Sequence, residues 1–314
     1  MRLIVGIVIL VIGIALLGGG IAVPALKPLV PTGVGFIIIG LALTGLSFIK
    51  LPDLDAGDAR PMSFLERLAS IFFEPSAVFQ NLRLYPRWLD ALLVVCLVMG
   101  IYSTVFIKRM TPQVIAQALT DKSVIAVEEF TQQPLPKEAK DGMREGQLQS
   151  FNTPAGQASQ VLSNFILNSI LALLCGAVFT LLALAFGGKM NYWQGVAVVV
   201  YSWLPVEIVK SVVNLITLFI KPVDDISPIR GLNGVATTDL GSLLINPAES
   251  PALFTLLGLV GVFGIYQLWL YATGLKNSAT KLSGGAAWGI ALTLFIIIGL
   301  AKVILAKVFP GFVA

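Results

Sequence analysis

Residues 3–23 read LIVGIVILVIGIALLGGGIAV, an unbroken apolar run with no charged residue. A bilayer hydrocarbon core about 30 Å thick takes about 20 such residues as one α-helix. Arg2 ahead of the run gives it the outline of a signal peptide, but the apolar part is too long and no A-x-A cleavage motif follows, so it reads as a retained span. The pattern recurs at Leu29 to Ile49, Leu89 to Ile107, Val161 to Phe186, Trp193 to Ile220, Leu253 to Leu275 and Ala286 to Val308. These seven stretches predict an all-α membrane protein, a seven-helix transmembrane bundle.

Composition agrees with lipid as the solvent. The 314-residue chain is 56% hydrophobic and 12% charged, against about a quarter charged in soluble domains. It has no histidine, which removes the commonest metal ligand and the usual general base near neutral pH. Cys96 and Cys175 each lie inside an apolar run, where a thiol behaves as a small hydrophobe. No metal site and no cofactor are expected. The net charge of +4 comes from residues scattered at span ends, which suits lipid headgroups as partners rather than nucleic acid.

The spans fall into groups. The first two, within residues 1–50, form a transmembrane hairpin turned at Pro24 to Pro28, with spaced glycines (Gly6, Gly13, Gly18; Gly35, Gly40, Gly45) that permit close helix approach. Residues 51–88 form an amphipathic interfacial segment. There Ser63 and Glu66 make an S-x-x-E capping box, followed by Phe64, Leu65, Leu68, Ile71 and Phe72 on one face. Pro75 restarts the chain, and Val78, Phe79 and Leu82 form a second stripe. Arg67, Arg83, Arg87 and Trp88 are the expected lipid contacts of this segment.

Residues 89–314 hold the other five spans, with a polar, helical insertion at 110–160 broken by Pro134 and Pro136. Lys221 to Pro251, rich in Gly, Asn and Pro, reads as an irregular loop. The density of Lys and Arg between the second and third spans places that segment in the cytoplasm, outweighing Lys108 and Arg109 on the other side. The N-terminus is then cytoplasmic, and the insertion and C-terminus are extracytoplasmic.

Charges inside spans are the candidates for function, because each costs at least about 2.5–3.5 kcal/mol at the bilayer centre. Glu207 and Lys210 sit three apart on the fifth span, so their side chains can meet on one face. Pro205 beside them removes a backbone donor and favours a kink. The alternatives are a binding site and a structural ion pair with Lys210 reaching the headgroups. Asp90 and Lys302 extend the set if they face the interior, and Asn164, Asn168 and Asn214 offer interhelical hydrogen bonds. No G-x-S-x-G, P-loop or H-E-x-x-H occurs, so a non-enzymatic protein is expected.

Three stretches carry a resemblance. Phe72-Phe73-Glu74-Pro75-Ser76-Ala77-Val78-Phe79, continuing to Tyr85-Pro86-Arg87-Trp88-Leu89-Asp90-Ala91-Leu92, is similar to the entry of the membrane domain in the Ypt-interacting protein (Yip) family, especially its prokaryotic branch. Tyr201-Ser202-Trp203-Leu204-Pro205 resembles the family's Tyr-Ser-x-x-Pro element, and Trp269 to Lys276 its penultimate-span ending. The resemblance runs from about Ser63 to the C-terminus. It implies a five-helix core with a cytosolic N-terminus, a bacterial inner-membrane location, and a non-enzymatic scaffold or adaptor that binds a protein partner, forms a homo-oligomer or organises lipid. The alternative is a transporter or channel for a small solute, ion or lipid built around Glu207 and Lys210.

Overall fold

The computed structural model describes residues 2–49, 60–246 and 249–308, and among them the protein is helical apart from isolated bridges. Lys50 and positions 51–59, the start of the expected interfacial segment, lie outside the described residues. The helices are α1 (Arg2–Ala22), α2 (Val30–Leu46), α3 (Phe64–Phe73), α4 (Pro75–Leu84), α5 (Leu89–Met110), α6 (Pro112–Thr131), α7 (Lys137–Asn152), α8 (Pro154–Ala185), α9 (Tyr192–Ile220), α10 (Leu240–Leu244), α11 (Pro251–Leu257), α12 (Val262–Ser278) and α13 (Gly284–Val308). Among the described residues six helical stretches are long and apolar enough to cross a membrane, the second of them running from Pro24 through α2 to Leu46. The stretch expected as a sixth continuous span is instead split into α11 and α12, leaving α12 with 17 residues. A glycine at each side of the split, Gly258 and Gly261, and the short bridge between Asp239 and Gly261 favour a turn over a continuous helix there.

The bundle has two unlike ends. At the proximal end lie α3, α4, the α8–α9 turn and the α12–α13 turn; the last two are joined by paired backbone hydrogen bonds between Lys189 and Thr280. At the distal end lie α6, α7 and the loop from Lys221 to Ser250, together with the α1–α2 turn, where Ser159 donates to the Pro28 carbonyl and its hydroxyl pairs with that of Thr32.

Close helix approach is set by glycine at two places. A Cβ on Gly40 would stand 2.5 Å from the Leu10 amide nitrogen, and one on Gly33 2.6 Å from that of Leu17, so α1 and α2 touch backbone to backbone. Between α8 and α9, Gly176 and Gly195 do the same, a Cβ on Gly195 meeting the Gly176 carbonyl at 2.5 Å. Gly18 and Gly45, expected in the same role, face open space. The largest core surrounds α9, whose residues Val196 to Tyr201 are fully buried. A second, smaller core of Tyr102, Phe106, Met110, Ile115, Phe151 and Leu218 binds the distal cap to the ends of α5 and α9.

The two short helices α3 and α4 form where the sequence predicts them. Both halves of the Ser63–Glu66 capping box are made, at 3.2 Å each, and Pro75 occupies the first turn of α4. Their orientation differs from the expectation. α3 turns Arg67 and Ile71 inward, both with no exposed surface, while Leu65 is 72% and Phe73 86% exposed. α4 buries Val78, Phe79 and Leu82 against the bundle, where Ser278 donates to the Phe79 carbonyl and Gly274 leaves room for the Phe79 ring.

Candidate functional site

The inward turn of α3 makes the proximal cluster. Arg67 donates from Nε to the Tyr201 hydroxyl (2.7 Å), from Nη1 to the Met62 carbonyl (3.1 Å) and from Nη2 to the Asp90 carboxylate. Tyr201 also donates to Asp90, and the guanidinium stands 5.8 Å from the Tyr201 ring centroid. A buried guanidinium is tolerated only with its donors used and its charge balanced, and here both conditions hold. Arg67 is therefore not a headgroup contact, because its side chain has no exposed surface. Trp88 is likewise turned inward, 6% exposed and stacked on Trp193 at 6.1 Å. Arg87 is exposed and Arg83 half-buried, its carbonyl accepting from Gln194.

The distal cluster is a cavity. Glu207 lies about 22 Å along α9 from Tyr192 and about 20 Å from Ile220, at 1.5 Å per residue, and so near the middle of a spanning helix. Lys210 pairs with it across one turn, Nζ to Oε1 3.6 Å, and both side chains keep some exposure. The reason is a hollow of about 390 Å³ under the distal cap, which both residues line. Its walls mix polar side chains, Ser103 of α5, Gln147 of α7, Gln160, Ser163 and Asn164 of α8, Ser211 and Asn214 of α9 and Asn233 of the loop, with apolar ones that include Met99 of α5 and Leu119 of α6. On α9 the lining begins at Glu207 and runs toward the distal end, while Val200, Tyr201 and Leu204 on the proximal side are fully buried and do not line it.

The roof is pinned by side-chain contacts to backbone. Tyr102 donates to the Gly231 carbonyl, Asn214 accepts from the Ala236 amide (2.8 Å) and Arg109 donates to the Lys221 carbonyl (3.0 Å). Beyond it, α6 and α7 are clipped by Lys140 and Glu128, 2.9 Å apart, with the Leu135 amide also on Glu128. The Lys140 hydrogen bond, then the Leu135 amide, holds the Glu128 carboxyl below the ordinary range.

The expected site residues thus separate. Glu207 and Lys210 share the cavity; Pro205 is buried on the same helix just short of it. Asp90 is at the other end, engaged by Arg67. Lys302 is exposed on α13 and does not line the hollow. Of the asparagines, Asn168 donates to Met99 Sδ of α5 (3.9 Å), the interhelical contact expected, as well as to the Asn164 carbonyl of its own helix, whereas Asn164 lines the cavity and Asn214 lines it and holds the loop. Gln147, Ser163 and Asn233 were missed, since single polar residues in helices and loops carry no periodic signal.

The motif stretches converge at the proximal end. Tyr201 holds Arg67, Asp90 accepts from both, Gly274 meets Phe79 and Val198, and Trp203 donates to the Tyr271 hydroxyl at 2.6 Å. No curated protein and no solved structure matches the chain. The family model of the Yip1 domain matches residues 69–306, from within α3 to the last turn of α13, leaving the α1–α2 hairpin outside. The chain belongs to the Yip1 domain family of membrane proteins.

Proposed function

We propose that this protein is a non-enzymatic, solute-binding membrane protein that receives a small zwitterion in the distal vestibule. One observation carries the reading: a carboxylate and an ammonium near the middle of a spanning helix both line a hollow rather than a sealed helix contact. Charged groups at such depth face the interior or water and mark ligand or ion paths. The volume falls in the range of about 300–1,000 Å³ used by small-molecule sites. Glu207 would take the cationic end of the solute and Lys210 the anionic end. The lining of α9 runs from Glu207 toward the distal end only, so transport requires a second conformation.

In this reading the spans number seven, with α11 and α12 together forming the sixth. The hairpin is an added unit ahead of a five-helix core. Arg60, Arg83, Arg87, Lys189, Lys276 and Lys281 at the proximal end support a cytoplasmic assignment of that end, with the vestibule and C-terminus extracytoplasmic in a bacterial inner membrane.

The test uses a single cysteine at Ser211 in a Cys96→Ala, Cys175→Ala background. An impermeant charged thiol reagent added outside intact cells should modify it, and a panel of amino acids and betaines should contain a solute that slows modification in the parent and not with Glu207→Gln. A thiol that stays unreactive until the membrane is dissolved would remove the basis for the proposal.

A second reading, a scaffold or adaptor that binds a protein partner or forms a homo-oligomer, rests on the outward stripe of Leu65, Ala69 and Phe73 on α3. It predicts a stoichiometric complex in mild detergent that Leu65→Ser with Phe73→Ser dissolves. A monomer in every detergent would count against it.

A further inference from the structure

A second hollow, about 540 Å³, opens at the proximal end where the added hairpin and the Yip1 domain diverge. The hairpin packs chiefly on α8, through α2 and the α1–α2 turn, and has no comparable packing on α4, α5 or α9. Val5 of α1 and Leu43 of α2 form one wall of the seam. The α4–α5 linker and the start of α5 form the other, with the stacked Trp88 and Trp193 rings as its inner limit. The lining is mostly apolar and ends in two charges, Arg87 and Asp90.

We infer that this seam is the binding site of one glycerophospholipid, with an acyl chain between the hairpin and α5 and its phosphodiester on Arg87. Three features select that occupant. The apolar wall continues without interruption down the outer face of α5 through Leu93 and Leu97, 52% and 60% exposed, so a chain enters sideways from lipid without crossing a polar surface. The mouth lies at the start of a span beside a tryptophan pair, the level at which headgroups meet hydrocarbon. The charge balance is cationic: Asp90 is matched by Arg67, which leaves Arg87 as the net charge at the mouth, and a guanidinium suits a phosphate fork.

The inference does not depend on the distal vestibule. Its site is on the opposite end, and the lipid is a structural ligand that joins the hairpin to the domain rather than a cargo.

The experiment places the full chain in nanodiscs containing phosphatidylglycerol with a diazirine on one acyl chain, followed by irradiation and peptide mapping. Label should concentrate on peptides carrying Leu84 to Leu93 and on Leu43 or Val5. Leu93→Trp, which fills the mouth from an exposed position, should lower that label about tenfold, equivalent to about 1.4 kcal/mol. Leu97→Trp, one turn further along the lipid face, should leave it unchanged. Arg87→Gln should lower labelling by phosphatidylglycerol and phosphatidylcholine probes alike, since both carry the phosphodiester, and leave labelling by a diacylglycerol probe, which lacks it, unchanged.

Equal loss from Leu93→Trp and Leu97→Trp, or label spread evenly over the lipid-facing helices, would mean annular lipid only and overturn the site. An Arg87→Gln variant that labels with the phospholipid probes as the parent does would overturn the phosphate assignment. Both tryptophans fall on exposed positions, so folding of the variants is checked by their elution as the parent does.

Discussion

The two ends of this protein solve the same problem in opposite ways. At the proximal end, a guanidinium with no exposed surface is matched by Asp90, Tyr201 and a backbone carbonyl. At the distal end, Glu207 and Lys210 are 3.6 Å apart and partly exposed, with polar side chains standing back from them around a hollow. The first arrangement uses charge as a fastener between an interfacial helix and two spans. The second leaves charge available, which is what a fastener must not do. Depth in the membrane does not tell these uses apart; the satisfaction of hydrogen-bonding partners does.

The strongest way to break the contrast is at Arg67. Arg67→Ala leaves Asp90 and Tyr201 without their partner and should lower stability by about 3–5 kcal/mol, read as thermal unfolding in detergent. The double variant Arg67→Met, Asp90→Leu removes both charges and should regain most of that loss. A double variant as unstable as the single would show that the cluster does more than balance charge.

Packing gives the next effect. Gly195→Val drives a side chain into the Gly176 carbonyl and the Thr180 hydroxyl, and should cost about 1–3 kcal/mol by overpacking. Gly18→Ala faces open space and should stabilise α1 by about 0.5–1 kcal/mol, since alanine loses less backbone freedom. Together these separate contact glycines from those present for no packing reason.

Glu207→Gln should change stability by no more than about 0.5 kcal/mol, the range of a substitution outside a tightly held network. It should nevertheless abolish solute protection of the cysteine at position 211. A large loss of stability would move the distal pair into the same class as Arg67 and sharpen the comparison against a binding role.

The smallest effect is in the distal cap. Glu128 has its carboxyl depressed by Lys140 and the Leu135 amide. Its contribution is therefore fully present above the unfolded value of about 4.3 and is lost as pH falls through the lower folded value. Amide exchange in α6 and α7 should rise below that range, and Lys140→Gln should flatten the response.

Much of this was legible in sequence because lipid imposes a length and apolarity that a chain cannot disguise. The six long helices, the Ser63–Glu66 box, the Pro75 restart and the Glu207–Lys210 pairing all follow from local rules. Arg67 did not, since its inward turn depends on Asp90 and Tyr201, 23 and 134 residues away. The apolar run from Leu253 to Leu275 also hid a break, because the turn at Gly258 to Gly261 lies among apolar residues that a span would share. The vestibule was half visible: its charges announce themselves, while its asparagines, serines and glutamines are collected from α5, α7, α8 and the loop only by folding.

The break before α12 also bears on the mechanics of the bilayer. A 17-residue helix rises about 26 Å, short of a hydrocarbon core of about 30 Å, whereas the 32 residues of α8 rise about 48 Å. A helix shorter than the core is accommodated by thinning of the neighbouring lipid or by an adjoining element, here α11, and one longer than the core by tilting. The helix lengths offered to lipid are thus unequal around the bundle.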